Sequence, residues 1–185
     1  MDELIDILDA NGNSTGKTAL KSVAHKNGWF HPTTHIWFYT TKGEVLLQQR
    51  SKNKNTHPLL WDVSVAGHIG AGENILDAAL REINEEIGIQ VNNNDLTKIG
   101  CIKEVHQHTN GILDCEYHHT FTCELKTPFY QLNKQESEVA ALQLMSLKQL
   151  EAELEDETLK KKYVPHFDGY YKLVIEAISE KVVTG

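Results

Sequence analysis

The stretch "REINEEIG" at residues 81–88 concentrates three glutamates and one arginine on two turns of a potential helix. Carboxylates three or four residues apart on a helix repel one another, so this concentration costs stability unless solvent or a cation screens it. A solvated helix face is the ordinary explanation, because glutamate is a good helix former. The residues on either side of the stretch decide between a solvated face and a cation site.

The flanking sequence predicts an amphipathic helix over residues 74–87. Its apolar residues recur at helical spacing and form one stripe, made of Leu76, Ala79, Leu80, Ile83 and Ile87. Gly88 follows where a helix needs a left-handed C-cap. At about 100° per residue, Glu82, Glu85 and Glu86 converge on one flank of this stripe. Convergent carboxylates suit a hard divalent cation such as Mg²⁺, whereas a solvated face does not require convergence.

The glycine-rich loop "AGHIGAGE" leads into this helix, and glycine lets backbone groups approach a metal or a phosphate closely. Loop and helix together give the pattern Gly67-x5-Glu73-x7-Arg81-Glu82-Ile83-x-Glu85-Glu86-x-Gly88-Ile89. This pattern is the Nudix box, and the chain resembles the Nudix hydrolase superfamily. The resemblance implies an α/β/α sandwich with a mixed β-sheet, and a loop-helix-loop that binds Mg²⁺ or Mn²⁺.

The resemblance also implies roles for the residues of the box. Glu85 and Glu86 are expected to be the main metal ligands, with Glu82 as a third ligand or as the base that activates water. The backbone carbonyl of Ala66 is expected to complete the site. Glu73 and Arg81 are expected to form an ion pair that keeps the loop in register with the helix.

The rest of the chain predicts strands with helices inserted between them, which favours a mixed sheet covered by helices. The runs at 35–41 and 44–49 predict a hairpin, 97–108 and 112–125 a second one, and 138–147 a further strand. We predict one domain over residues 1–185. It has a strand and loop extension at 1–30, a core at 31–150 that contains the box at 67–89, and helices at 151–185.

A basic loop follows the first of these hairpins and contains Arg50, Lys52 and Lys54. A solubilising loop is the ordinary explanation for such a segment. However, an acidic protein that handles a diphosphate needs cations near the metal, and arginine can bind phosphate through two hydrogen bonds. We therefore expect these three side chains to bind substrate.

A longer pattern, which includes "WDVSVAGH" at 61–68, resembles the Nudix branch that contains type 1 isopentenyl-diphosphate isomerases. In those enzymes three histidines and two acidic residues hold a second metal. The matching residues here are His25, His31, His68, Asp114 and Glu116, while Arg50 and Lys54 match residues that contact the diphosphate. The chain departs from the isomerases at Ala66, which stands where they have an essential cysteine. The other histidines give no such match, and we interpret His35, His118 and His119 as strand residues.

The composition excludes several classes of partner. A net charge of −8 argues against a nucleic-acid polymer or an acidic membrane surface as partner. The acidic start "MDELIDILDA" lacks the basic residues of a signal peptide, and we expect a cytoplasmic protein. Cys101, Cys115 and Cys123 form no CxxC pair, so we expect reduced thiols.

Three functions remain open from the sequence. The first is a metal-dependent hydrolase of a diphosphate linkage in a small molecule, such as a nucleoside diphosphate or its derivative. The second is an isopentenyl-diphosphate isomerase, which Ala66 disfavours. The third is a non-catalytic diphosphate-binding module, which the complete set of box glutamates disfavours.

Overall fold

The computed structural model describes residues 2–184, so the ends of the predicted 1–185 domain, Met1 and Gly185, lie outside the described residues. Within this range the chain forms nine strands and four α-helices. The strands are β1 (Leu4–Leu8), β2 (Ser14–Leu20), β3 (His31–Tyr39), β4 (Glu44–Arg50), β5 (Trp61–Asp62), β6 (Val65–His68), β7 (Thr97–Gln107), β8 (Leu113–Glu124) and β9 (Val139–Ser146). The helices are α1 (Lys21–Asn27), α2 (Ile75–Ile87), α3 (Leu147–Glu155) and α4 (Tyr170–Thr184).

Seven strands form one mixed sheet in the order β5-β4-β3-β8-β7, in which β6 also pairs with β3, and β9 with β4. The pair β3–β8 is parallel and the other pairs are antiparallel. Both predicted hairpins are present, as β3–β4 and β7–β8. None of the helices within residues 2–184 is long and apolar enough to cross a membrane.

Helices cover both faces of this sheet, which explains why β3 is buried almost throughout. Successive side chains of a strand point to opposite faces. Ile36 and Phe38 therefore pack with α2 in one core, while Trp37 between them packs with α4 in the other. The indole nitrogen of Trp37 donates a hydrogen bond of 2.9 Å to the buried Tyr170 hydroxyl. The arrangement confirms the predicted sandwich of a mixed sheet between helices.

Helix α2 begins and ends where the sequence predicts. The Asn74 side chain accepts a hydrogen bond from the Leu76 amide at the N-terminus, and Gly88 has a φ of 71° at the C-terminus. A side chain at Gly88 would be strained by this φ and would also meet Asn133 at 2.9 Å. The apolar stripe of α2 packs on the sheet. On the glutamate flank, Glu86 contacts Gln48 of β4 and Ala66 of β6.

The N-terminal extension differs from the predicted strand and loop, because residues 21–27 form the short helix α1. Seven residues with one buried side chain, Ala24, give no apolar stripe that a periodicity analysis could detect. The β1–β2 hairpin also supports the box loop. The Ala71 amide donates to the Leu4 carbonyl, and the Gly72 amide donates to Asp6 Oδ2, both at 2.9 Å.

Candidate active site

A cavity of about 420 Å³ brings together most of the predicted site residues. Its walls come from α1, α2, the strands β3 and β6–β8, and the loop that follows β4. The predicted residues that line it are His25, Arg50, Lys54, Ala66, His68, Glu82, Glu85, Glu86, Asp114 and Glu116. The box helix thus forms one wall of the cavity, and the histidines and Glu116 form another.

Arg81 joins the box loop to the box helix. Its Nε and Nη2 atoms each donate a 2.9 Å hydrogen bond to Glu73, one to each carboxylate oxygen. Nη2 also donates to the His68 carbonyl at 3.0 Å, and Glu73 accepts from the Gly70 amide at 2.9 Å. These paired charge-assisted bonds are strong and directional. The expected ion pair therefore exists, and it fixes the loop against the helix.

The three box glutamates have different surroundings. Glu86 is 3% exposed and accepts hydrogen bonds from Gln48 Nε2 at 2.9 Å and from the Ala66 amide at 3.2 Å. Glu82 is also buried, with one oxygen 2.7 Å from Arg81 Nη1. The Glu85 side chain is 47% exposed and faces the cavity beside them. The set therefore has two buried carboxylates and one that solvent can reach.

Burial raises the pKa of Glu86 to about 8 and also raises that of Glu82, which Arg81 opposes. Carboxylates that are buried away from solvent are stabilised by a bound cation, and their hard oxygen atoms suit Mg²⁺ or Mn²⁺. Gly67 is required beside them, because a Cβ atom there would lie 1.9 Å from the carboxyl carbon of Glu82. The donor atoms thus fit the expected ion. The ligand roles of Glu82, Glu85, Glu86 and the Ala66 carbonyl remain predictions.

A second set of ligand atoms, the histidine cluster, consists of His25, His31, His68 and Glu116. The Nε2 atom of His25 lies 3.1 Å from that of His31 and 3.2 Å from that of His68. Glu116 Oε1 lies 3.3 Å from His31 Nε2 and 3.6 Å from His68 Nε2. Ligands bound about 2.1 Å from one ion lie about 3.0 Å apart at a right angle and about 3.4 Å apart at the tetrahedral angle. The spacing of the cluster fits a metal ion.

The surroundings of the histidine cluster orient its rings. The Trp29 carbonyl, which can only accept, lies 2.8 Å from His31 Nδ1, so that nitrogen carries a proton and Nε2 faces the cluster. Burial lowers the pKa of His25 and lowers that of His68 to about 3, which keeps both imidazoles neutral at pH 7. Asp114 Oδ1 lies 3.4 Å from His25 Nδ1 and is buried without a hydrogen bond from any residue within 2–184. Neutral imidazoles and carboxylates are the donors that Zn²⁺ and Mn²⁺ accept.

Sequence comparison identifies the family of proteins to which this chain belongs. The family model described as the NUDIX domain matches residues 29–167, which is most of the chain. The chain belongs to the Nudix hydrolase family. An uncharacterised Nudix hydrolase from Clostridium acetobutylicum is 31% identical over 97% of this chain and 98% of its own length. Several other curated relatives are matched over about half of their length or less.

Isomerases are also among the relatives of this Nudix hydrolase. An isopentenyl-diphosphate Delta-isomerase from Streptomyces avermitilis is 31% identical over 68% of this chain and 63% of its own length. Among solved structures, a protein from Deinococcus radiodurans is similar, with a TM-score of 0.69 and 14% identity over 93% of this chain and 98% of its own. At that identity the likeness shows the fold alone, and the sequence relatives include both hydrolases and isomerases.

In this Nudix hydrolase, two basic side chains of the predicted substrate-binding loop form contacts within the protein. Arg50 donates to the buried Asp62 carboxylate at 3.0 Å, and to the Thr56 carbonyl and hydroxyl at 3.1 Å each. Lys54 pairs with Glu138, and both line the cavity. Lys52 is exposed and is not among the described residues that line the cavity. Of the three expected substrate contacts, Lys54 is therefore the best placed and Lys52 is the least.

A further group of polar side chains that the sequence did not predict lies beside these walls and consists of Asp62, Glu104, His118 and His166. His118 does lie on a strand, as expected, but its ring belongs to this group. Polar residues at every second position of β8, in "DCEYH" at 114–118, place Asp114, Glu116 and His118 on one face of the strand. That alternation was the available signal. His166 precedes α4 and carries no comparable signal.

Proposed function

We propose that this Nudix hydrolase uses Mg²⁺ or Mn²⁺ to cleave a diphosphate linkage in a small molecule, such as a nucleoside diphosphate or its derivative. One observation carries the proposal: the cavity has the box carboxylates on one wall, the histidine cluster on another and Lys54 at its edge. A diphosphate needs this combination of metal ligands and cations, because its oxygens carry negative charge that must be neutralised during attack.

Each residue of the box has a task in this proposal. A bound divalent ion would neutralise the charge that develops on the diphosphate and acidify water. Glu85 and Glu86 would hold it, and Glu82 would ligate it or accept the proton of the attacking water. The Arg81 guanidinium orients Glu82 through the 2.7 Å hydrogen bond. Lys54 would contact a phosphate oxygen after its pairing with Glu138 opens.

Isomerisation of isopentenyl diphosphate is the competing function, because isomerases are among the relatives and the histidine cluster is present. That reaction adds a proton at one carbon and removes one at another, so it needs acid-base groups on two sides of the substrate. Glu116 supplies one such group. Ala66 has no proton to exchange, and the neighbouring Ser64 hydroxyl is buried between the Leu46 carbonyl and the Phe38 amide. We therefore favour hydrolysis.

The test is a panel of nucleoside diphosphates, nucleotide-sugars and isopentenyl diphosphate, incubated with the purified protein and Mg²⁺ or Mn²⁺. We expect metal-dependent hydrolysis of at least one diphosphate linkage and no dimethylallyl diphosphate. Conversion of isopentenyl diphosphate to its isomer at an enzymatic rate would establish the isomerase instead. An absence of turnover on the whole panel would favour a binding module.

A further inference from the structure

The group that the sequence did not predict lies in the wall of the same cavity, next to the histidine cluster. Asp62, Glu104 and His118 are buried, the His166 side chain is 6% exposed, and all four line the cavity. His118 Nε2 lies 3.1 Å from Glu104 Oε2, and His166 Nδ1 lies 3.4 Å from the same oxygen. Two imidazole rings therefore direct one nitrogen each at a single carboxylate oxygen.

The second nitrogen of each ring has its own acceptor. His166 Nε2 lies 2.8 Å from Asp62 Oδ1, and a carboxylate can only accept, so this nitrogen carries a proton. His118 Nδ1 lies 2.7 Å from the Thr33 hydroxyl, which can donate or accept, and 3.4 Å from Glu116 Oε2, which can only accept. The inner nitrogen of each ring, His118 Nε2 and His166 Nδ1, is directed at Glu104 Oε2. Either a proton or a metal ion must lie between these nitrogens and the carboxylate oxygen, because acceptors that converge without one repel each other.

We propose that Glu104, His118 and His166 bind a transition-metal ion such as Zn²⁺, at a site separate from the box and from the histidine cluster. Their ligand atoms lie within 4.8 Å of one another, and the 3.1 and 3.4 Å separations match the about 3.0 to 3.4 Å expected for ligands of one ion. Asp62 orients His166 as a carboxylate that supports a metal-bound histidine does. Arg50 in turn holds Asp62, which gives the basic loop a structural role in this site.

Three protein ligands and a position open to the cavity are the arrangement of an exchangeable metal site, in which water or substrate takes the fourth position. Glu116 lies between the two histidine-containing sites, since its Oε1 faces the histidine cluster and its Oε2 faces His118. The proposal concerns metal binding at this site, so it can be tested independently of whether the protein hydrolyses a diphosphate.

Protons are the competing occupants of this site. Although burial lowers it, the carboxylates of Asp62 and Glu104 raise the pKa of His166 to about 9, so a metal-free protein holds a proton between these groups. A proton and a metal ion compete for the same lone pairs, and metal binding then releases protons. Counting the bound metal distinguishes the two occupants directly.

The experiment is to strip the full-length protein with a chelator, reload it with Zn²⁺, remove free metal and count bound zinc by mass spectrometry. We expect His166→Gln and Glu104→Gln each to lose one zinc equivalent per chain relative to the wild type. His119→Gln, which changes the neighbouring histidine on the same strand, should lose none, because His119 lies outside both groups of ligand atoms. His31→Gln should lose the zinc ion of the histidine cluster instead, so the double variant His31→Gln/His166→Gln should lose two zinc equivalents per chain.

Cobalt adds a spectroscopic readout, because Co²⁺ bound by imidazoles absorbs in the visible range. We expect His166→Gln to remove one component of that absorbance and to keep the melting temperature of the metal-free wild type within a few degrees. A zinc count in the wild type that neither His166→Gln nor Glu104→Gln reduces would overturn the proposal and leave a hydrogen-bonded network. If one variant fails to fold, the other still gives the count.

Discussion

The two walls of the cavity are built in different ways. The box wall comes from one continuous segment, residues 67–89, in which a single helix fixes the spacing of its carboxylates. The histidine wall comes from α1, β3, β6 and β8, so His25, His31, His68 and Glu116 meet only after the sheet has formed. A continuous motif can be found from spacing alone, whereas an assembled site depends on the topology that brings its strands together.

The walls also differ in chemistry. Burial raises the pKa of Glu86 on the box wall and lowers that of His68 on the histidine wall. The box wall thus offers hard oxygen atoms that need a cation, and the histidine wall offers imidazole nitrogen atoms, of which those of His25 and His68 are kept neutral by burial. We expect Mg²⁺ or Mn²⁺ at the first and a transition metal at the second. The following predictions test whether the two walls act separately.

The largest effect should come from the box wall. Glu85→Gln or Glu86→Gln removes a charged metal ligand, and we expect kcat to fall by about 100-fold or more with the best diphosphate substrate. Asp77→Asn is the matched control, because Asp77 is an exposed acid on the same helix. Steady-state kinetics at saturating Mg²⁺ measure the difference. Near-full activity of Glu85→Gln would show that the metal assignment is wrong.

A smaller effect should come from the histidine wall. His31→Gln should remove one bound transition-metal ion and reduce kcat/KM by about tenfold, because an ion that does not contact the attacked phosphorus acts like an outer-shell partner, whose loss typically costs about 10- to 100-fold. Excess Mg²⁺ should not restore the loss, because imidazole nitrogens bind that ion poorly. His119→Gln serves again as the control. If His31→Gln behaved like Glu85→Gln, both in size and in response to Mg²⁺, the two walls would form one site.

The basic loop should separate binding from stability. Lys54→Gln should raise KM several-fold without changing the free energy of unfolding, because its pairing with Glu138 is partly exposed. Arg50→Gln should instead destabilise the protein by about 1 to 3 kcal/mol, since it removes one of the two groups, Arg50 and His166, that pair with the buried Asp62. Urea unfolding and steady-state kinetics distinguish the two. Equal stability of both variants would contradict the structural role of Arg50.

The smallest effect should be on how the free energy of unfolding changes with pH, measured after a chelator has removed the metal. The folded-state pKa of Glu86 is about 8, above its unfolded value, so its ionisation opposes folding. The wild type should therefore lose stability as pH rises from 5 to 9, and Glu86→Gln should lose less. The exposed Glu85 gives the matched control, Glu85→Gln, which should follow the wild type. Urea unfolding at the two pH values gives the comparison, and parallel curves for all three proteins would contradict it.

Much of the fold followed from the sequence, because its signals are local. The apolar stripe and Gly88 determine where α2 ends, and alternation with a short turn determines the β3–β4 and β7–β8 hairpins. Helix α1 was missed because a seven-residue helix with one buried side chain produces no periodic pattern. The division into segments at residues 30 and 150 stays a prediction.

The site was less accessible to sequence reasoning. The box carboxylates followed from spacing, and the histidine cluster came from resemblance rather than from a pattern in the residues. The sequence did not reveal that Arg50 pairs with Asp62, because the two residues become neighbours only when β4 pairs with β5. His166 meets Glu104 from a segment 62 residues away, and no sequence periodicity encodes that contact.

The products of one reaction show whether the box glutamates and their metal ion cleave a diphosphate linkage. Phosphorus NMR should follow the best diphosphate substrate with the wild type and Mg²⁺, with the wild type and a chelator, and with Glu85→Gln and Mg²⁺. We expect products of cleavage at the diphosphate linkage in the first sample and intact substrate in the other two over the same period. Cleavage that persists with the chelator or in Glu85→Gln, or a product that keeps its diphosphate, would contradict it.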